Sequence, residues 1–208
     1  GERAQEIDHE VSLVGFFEQI LNTFTFRKLA ADSFIHATPF HKLFIMPSHP
    51  QMDELRDKLE SRYKMFKLRD ELRGLEGFDA IYIDTPPALN FFTRSALIAA
   101  DSCLIPFDCD DFSRQALYTL LENVREIRAD HNPKLEVEGI VVNQFQPRAR
   151  LPRQIVDELV AEHLPLLEPY LSQSVKIRES HQQAKPMIHL APRHKLTQEL
   201  RALYKSIA

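Results

Sequence analysis

The sequence predicts an α/β protein built on a doubly wound, mostly parallel sheet with helices on both faces. Three observations carry that prediction. Short apolar runs alternate with longer segments whose apolar residues recur every three or four positions. Those runs are close to continuously apolar, as strands buried on both faces are, and they end on Pro or Asp. The 208 residues contain no low-complexity tract and no glycine-serine or proline-rich linker, so one domain spanning 1–208 is expected.

Taken in order, Leu13, Phe16, Phe17, Ile20, Leu21 and Phe24 form a helical stripe over Val11 to about Leu29. Leu43 to Met46 reads as a buried strand closed by Pro47. Gln51 to Leu72 reads as one amphipathic helix, with Met52, Leu55, Leu59, Tyr63 and Phe66 on its apolar face. Phe78 to Ile83 is a strand stopped by Asp84-Thr85-Pro86-Pro87, and Asn90 to Ala100 is a helix free of Gly and Pro. Ser102 to Ile105 is a strand stopped by Pro106, and Ser113 is placed to cap a helix running to about Ala129. Val137 to Asn143 is the most β-branched run. Helices are expected at Arg153 to His163 and Thr197 to Ile207, with loop and one further strand between His163 and Ser174.

Composition narrows the function classes. Hydrophobic residues are 44% and charged residues 27%, and no run approaches the length of a membrane span. Cys103 and Cys109 lie in or just after one expected strand, which suits buried structural thiols rather than a disulfide framework or a four-ligand zinc site. None of the nine His has zinc-ligand spacing. The net charge of −4 is unevenly spread: residues 1–145 hold 16 Lys or Arg against 24 Asp or Glu, whereas residues 146–208 hold 10 against 6. A basic C-terminal third suits a polyanion, or simply solvated helix faces.

Ligands of parallel α/β sheets bind beyond the carboxyl ends of the strands. Asp84 stands at such an end, where a carboxylate can hold Mg²⁺ together with substrate phosphates, or can cap the helix that follows. Asn143 ends another strand, and its amide can pair with an adenine edge or shape a turn. Asp108, Asp110 and Asp111 suit an acidic helix N-terminus better than a metal site. The five glycines, at positions 1, 15, 74, 77 and 139, form no G-x-x-x-x-G-K-[ST] phosphate loop.

The segment FDAIYIDTPPALNFFTRSALIAADSCLIPFDCDDFSRQAL, Phe78 to Leu117, resembles the switch II strand and following unit of the ParA/MinD family of partition ATPases. The likeness continues through NPKLEVEGIVVNQFQPRARLPRQIVDEL and the terminal VKIRESHQQAKPMIHLAPRHKLTQELRALYKSI. From about Leu43 onward the match is good, whereas Gly1 to Ala37 is only compatible. The family's first strand, its K-G-G-x-G-K-T-T loop and its second strand with a switch I aspartate have no counterpart. The chain is therefore expected to be an N-terminally incomplete P-loop NTPase-like domain with no intact catalytic site.

The resemblance implies ATP and Mg²⁺ as cofactors. Asp84 would hold the metal and, with Thr85 and Pro86, form the switch that senses the γ-phosphate, while Asn143 would contact adenine. It implies a cytoplasmic, nucleoid-associated homodimer that binds DNA non-specifically and is stimulated by a ParB-like centromere-binding protein. Arg148 and Arg150 fall in the family's DNA-binding loop, with Arg193 and Lys195 as further candidates. The alternatives are a MinD-like positioning ATPase, disfavoured because LTQELRALYKSIA lacks a membrane-seeking face, and a non-enzymatic dimerisation module that lost the phosphate loop.

Overall fold

In the computed structural model, which describes residues 8–22 and 28–207, the chain divides after residue 100 into two units, each with its own core. The first unit opens on Ser12, whose Oγ accepts the Val14 N–H at 3.1 Å and caps helix α1, Leu13–Leu21. This helix is shorter than the predicted one, and Phe24 lies outside the described residues. Phe16, Phe17, Phe34, Leu59 and Phe91 fill the centre of the unit. Phe16 meets Phe17 and Phe34 edge-to-face at 5.0 and 5.7 Å, an arrangement that aromatic quadrupoles favour.

Leu43 to Met46 departs from expectation. Strands β1 (His36–Ala37) and β2 (Phe44–Ile45) pair antiparallel in a short hairpin whose turn is closed by Thr38, with its N–H and Oγ1 both donating to the Leu43 carbonyl. Leu43, Phe44 and Ile45 are about half exposed, at 51, 49 and 50%. The predicted helix over Gln51 to Leu72 is two helices, α2 (Met52–Ser61) and α3 (Lys67–Leu72), broken where Tyr63 takes a left-handed φ of 54°. An α-helix cannot pass through that conformation.

The largest difference lies at Phe78 to Ile83, which joins no sheet. The segment has the composition of a strand, but no backbone hydrogen bond engages residues 78–85 among the described residues. A strand requires ladder hydrogen bonds to a neighbouring edge as well as suitable side chains; the Phe78 ring meets Phe44 of β2 edge-to-face at 5.7 Å, but no ladder joins the two segments among the described residues. Helix α4, Phe91–Ala99, follows with Asn90 as its cap; the Asn90 Oδ1 accepts from Phe92 N at 2.9 Å and Thr93 N at 3.2 Å.

The second unit holds the parallel sheet, β3 (Ser102–Asp108), β4 (Glu136–Asn143) and β5 (Leu166–Leu167), in the order β3-β4-β5. Helices α5 (Asp111–Asp130) and α6 (Arg150–Ala161) make the two crossovers. Ile105, Phe107, Ile140 and Val142 pack against Leu117, Ile155 and Leu159. Each such fully buried side chain contributes roughly 1.5–3 kcal/mol. Pro106 does not stop β3, which continues to Asp108. In the described sheet β3 is an edge strand, where a residue lacking an N–H is tolerated. Gly139 admits the Leu167 side chain, since a Cβ there would stand 2.3 Å from Leu167 Cγ.

The cap of α5 is Asp110 rather than Ser113. Its Oδ1 accepts the Ser113 N–H at 2.7 Å, and Ser113 Oγ donates to Oδ2 at 3.0 Å. These bonds hold the Asp110 carboxyl below its ordinary range. The acidic cluster is thus a helix N-terminus. Arg114 ties α5 to α6 by pairing with Glu158 and Glu162, and the Tyr118 hydroxyl donates to Glu162 at 2.5 Å. Helices α7 (Lys176–Gln182), α8 (Met187–Leu190) and α9 (Lys195–Ile207) complete the unit around Leu171, Met187, Leu196 and Leu203. Of these three the residue pattern alone predicts only α9, while α7 and α8 fall in the tail that resembles the family's terminal helices.

Candidate nucleotide and nucleic-acid sites

Asp84, Thr85 and Pro86 stand consecutively on the extended, solvent-exposed segment that leads into α4. Two residues of α4 and its cap secure the far end of that segment. Thr93 is buried, and its Oγ1 donates to the Ala88 carbonyl at 2.7 Å and the Pro86 carbonyl at 3.4 Å, while Asn90 supplies the helix cap. The Asp84 carboxylate has no hydrogen-bond or ion-pair partner among the described residues. Asn90 therefore performs the capping that was one of the two readings of Asp84. The sequence reading missed Asn90 and Thr93, although an Asn directly before an apolar helical run is a recognisable cap signal.

The described residues bring together no group of three or more His, Cys, Asp or Glu able to hold a metal ion. A single uncommitted carboxylate nevertheless suits Mg²⁺, which keeps several waters and takes one or two carboxylates beside substrate phosphates. Asp84 could supply that share, with Thr85 adjacent to it.

In the second unit Asn143 closes β4 opposite Asp108 at the end of β3. Its side-chain amide has no partner among the described residues, so both its donor and its acceptor face are free. The turn beyond the strand is made by Gln144, with a φ of 51°, whose Nε2 donates to Asp108 Oδ2 at 3.1 Å. Cys109 sits on the same rim. Burial, with Asp108 and Asp110 beside it, pushes its thiol up to about 11, so it remains protonated and a poor nucleophile at neutral pH.

Arg148 lies in the loop after β4 and Arg150 begins α6, which starts three residues earlier than predicted. Both line one open groove of about 580 Å³ together with Arg153, Gln154, Asp157, Glu158 and Ala161. Neither has an ion-pair partner among the described residues. Arg193 and Lys195 are not part of this groove. Arg193 is exposed in the turn before α9, whereas Lys195 Nζ is 3.4 Å from Glu199. Burial opposes ionisation of Glu199, but bonds from the Ser172 N–H and Oγ, aided by Lys195, hold its carboxyl below the ordinary range. Lys195 is thus partly neutralised, and Arg148 and Arg150 are the freer cations.

Comparison with known proteins bears on the family and the fold. The model of the AAA domain family AAA_31 matches residues 5–137. The chain is 31% identical over 175 residues to the chromosome partitioning protein ParA of Myxococcus xanthus, an alignment covering 83% of this chain and 60% of that protein. The Cyanothece McdA structure superposes with a TM-score of 0.83 at 18% identity, covering 100% of this chain and 81% of that one, and a McdA variant in complex with ATP gives 0.80. The cell division ATPase MinD of Pyrococcus furiosus gives 0.67 at 19% identity, over 86% of this chain and 70% of that one. These neighbours show a doubly wound α/β fold. The chain belongs to the ParA/MinD family of partition ATPases within that AAA domain class. It spans about three-fifths of the length of its M. xanthus relative. Among the described residues no helix is long and apolar enough to cross a membrane.

Proposed function

We propose that this chain is the switch-and-DNA-binding part of a DNA-partitioning ATPase, in which ATP, held with Mg²⁺, drives dimerisation and the dimer binds DNA without sequence preference. One observation carries the reading: in a member of the partition family, Arg148 and Arg150 line a single groove with no carboxylate engaging either guanidinium. Unneutralised guanidinium groups side by side bind phosphate well, and phosphate contacts carry no sequence information. Asp84 would hold Mg²⁺ through water, Thr85 and Pro86 would move with the γ-phosphate, and Asn143 would read adenine. The 1–208 stretch acts as one nucleotide-linked domain in this reading, and a ParB-like protein would stimulate hydrolysis.

The full-length protein carrying this sequence tests the DNA step. With ATP present, Arg148→Ala combined with Arg150→Ala should weaken binding about equally for unrelated duplexes. The slope of log affinity against log salt should fall by roughly one unit per lost contact. Unchanged affinity and slope would move the DNA surface elsewhere, with Arg193 and Lys195 the next candidates.

A further inference from the structure

The groove contains a third arginine that the sequence reading passed over. Arg150, Arg153, Gln154, Asp157, Glu158 and Ala161 follow helical spacing and share one stripe of α6, while Arg148 joins them from the preceding loop. Charge along the stripe is ordered. The three arginines occupy its N-terminal end, and all three are exposed without an ion pair among the described residues. The two acids lie one turn further along and differ in how they are satisfied. Glu158 is taken up by Arg114 of α5 and by Gln154, whose Nε2 donates to it at 2.9 Å. Asp157 has no partner within ion-pair or hydrogen-bond distance among the described residues.

An uncompensated carboxylate one turn beyond three free cations repels a phosphate backbone from the C-terminal half of the helix. It also competes, from the i+4 position, for the Arg153 guanidinium. Helix α6 starts without a side-chain cap, and the positive end of its dipole lies at the same end of the groove as the arginines. Resting on the DNA-binding reading above, we infer that Arg153 is a third phosphate-contacting residue and that Asp157 ends the phosphate track, so that duplex DNA crosses α6 at its first two turns instead of running along it.

The test measures binding of the ATP-loaded full-length protein to two duplexes of unrelated sequence across a salt series, with thermal midpoints confirming that each variant is folded. Arg153→Gln should lower affinity for both duplexes several-fold and reduce the salt slope by roughly one unit, as expected for one lost phosphate contact. Asp157→Asn should raise affinity for both duplexes. Arg153→Lys should retain most of the binding, because the contact depends on charge.

Loss of binding in Arg148→Ala with Arg150→Ala, but normal affinity and slope in Arg153→Gln, would overturn the third contact and leave the DNA-binding reading intact. Unchanged or weaker binding in Asp157→Asn would overturn the track end. Normal DNA binding in every arginine variant would assign the groove to an anionic protein surface instead and overturn both readings.

Discussion

Asp84→Asn should abolish ATP hydrolysis in a protein that carries both this sequence and the family's phosphate loop, while leaving the thermal midpoint unchanged. In the proposed reading Asp84 would hold Mg²⁺ through water and the metal would offset charge on the phosphates, and Asn could not supply the carboxylate charge for that. The stability half of the prediction comes from the geometry of α4. Its cap is Asn90, which accepts from two backbone N–H groups, whereas Asp84 is exposed with no partner among the described residues. Asp84→Ala should therefore leave stability within about 0.5 kcal/mol of the parent, as surface substitutions do. Asn90→Ala should cost about 1 kcal/mol. Measuring ATPase rate and thermal midpoint across the three variants checks both halves. Normal turnover in Asp84→Asn would refute the metal assignment.

The second large effect concerns nucleotide affinity. The 208 residues contain no G-x-x-x-x-G-K-[ST] sequence, so they offer neither the backbone N–H cradle nor the lysine that would meet the β- and γ-phosphates. Adenine contacts through Asn143 would not replace the cradle, and a metal held by Asp84 would offset only part of the up to about four phosphate charges. Titration calorimetry on the 208-residue chain alone should detect weak ATP binding or none. Micromolar affinity would contradict this and would require a phosphate site outside any glycine-rich loop.

Much of the fold was legible because hydrophobic periodicity reports burial. The β3, β4 and α5 runs lie close to their predicted positions, and the further strand between His163 and Ser174 is β5. The failures trace to interactions that periodicity does not encode. Phe78 to Ile83 has an apolar strand composition, but Ile81 and Tyr82 are 48 and 70% exposed, and among the described residues no ladder pairs the segment with another strand. Pro106 was read as a terminator because its tolerance depends on β3 being an edge strand. Ser113 and Asp110 both suit a helix start, and only the bond from the Ser113 N–H to the Asp110 carboxylate decides between them. The break between α2 and α3 lies in the left-handed conformation of Tyr63, a residue that seldom adopts it.

Of the candidate site, residue types at strand ends were legible, but their electrostatic surroundings were not. Arg148, Arg150 and Lys195 look alike in sequence. Glu199, itself anchored by Ser172, pairs with Lys195, and no such carboxylate reaches the two arginines. Arg153 went unnoticed because its membership of the groove follows from α6 beginning at Arg150 rather than three residues later.

The central claim is that nucleotide state governs DNA affinity. It is tested most directly by measuring binding of the full-length protein to a duplex of arbitrary sequence with ATP, with ADP and without nucleotide, at one fixed salt concentration. Tight binding with ATP that weakens by an order of magnitude or more with ADP or no nucleotide is the expected result, and equal affinity in all three states would contradict it.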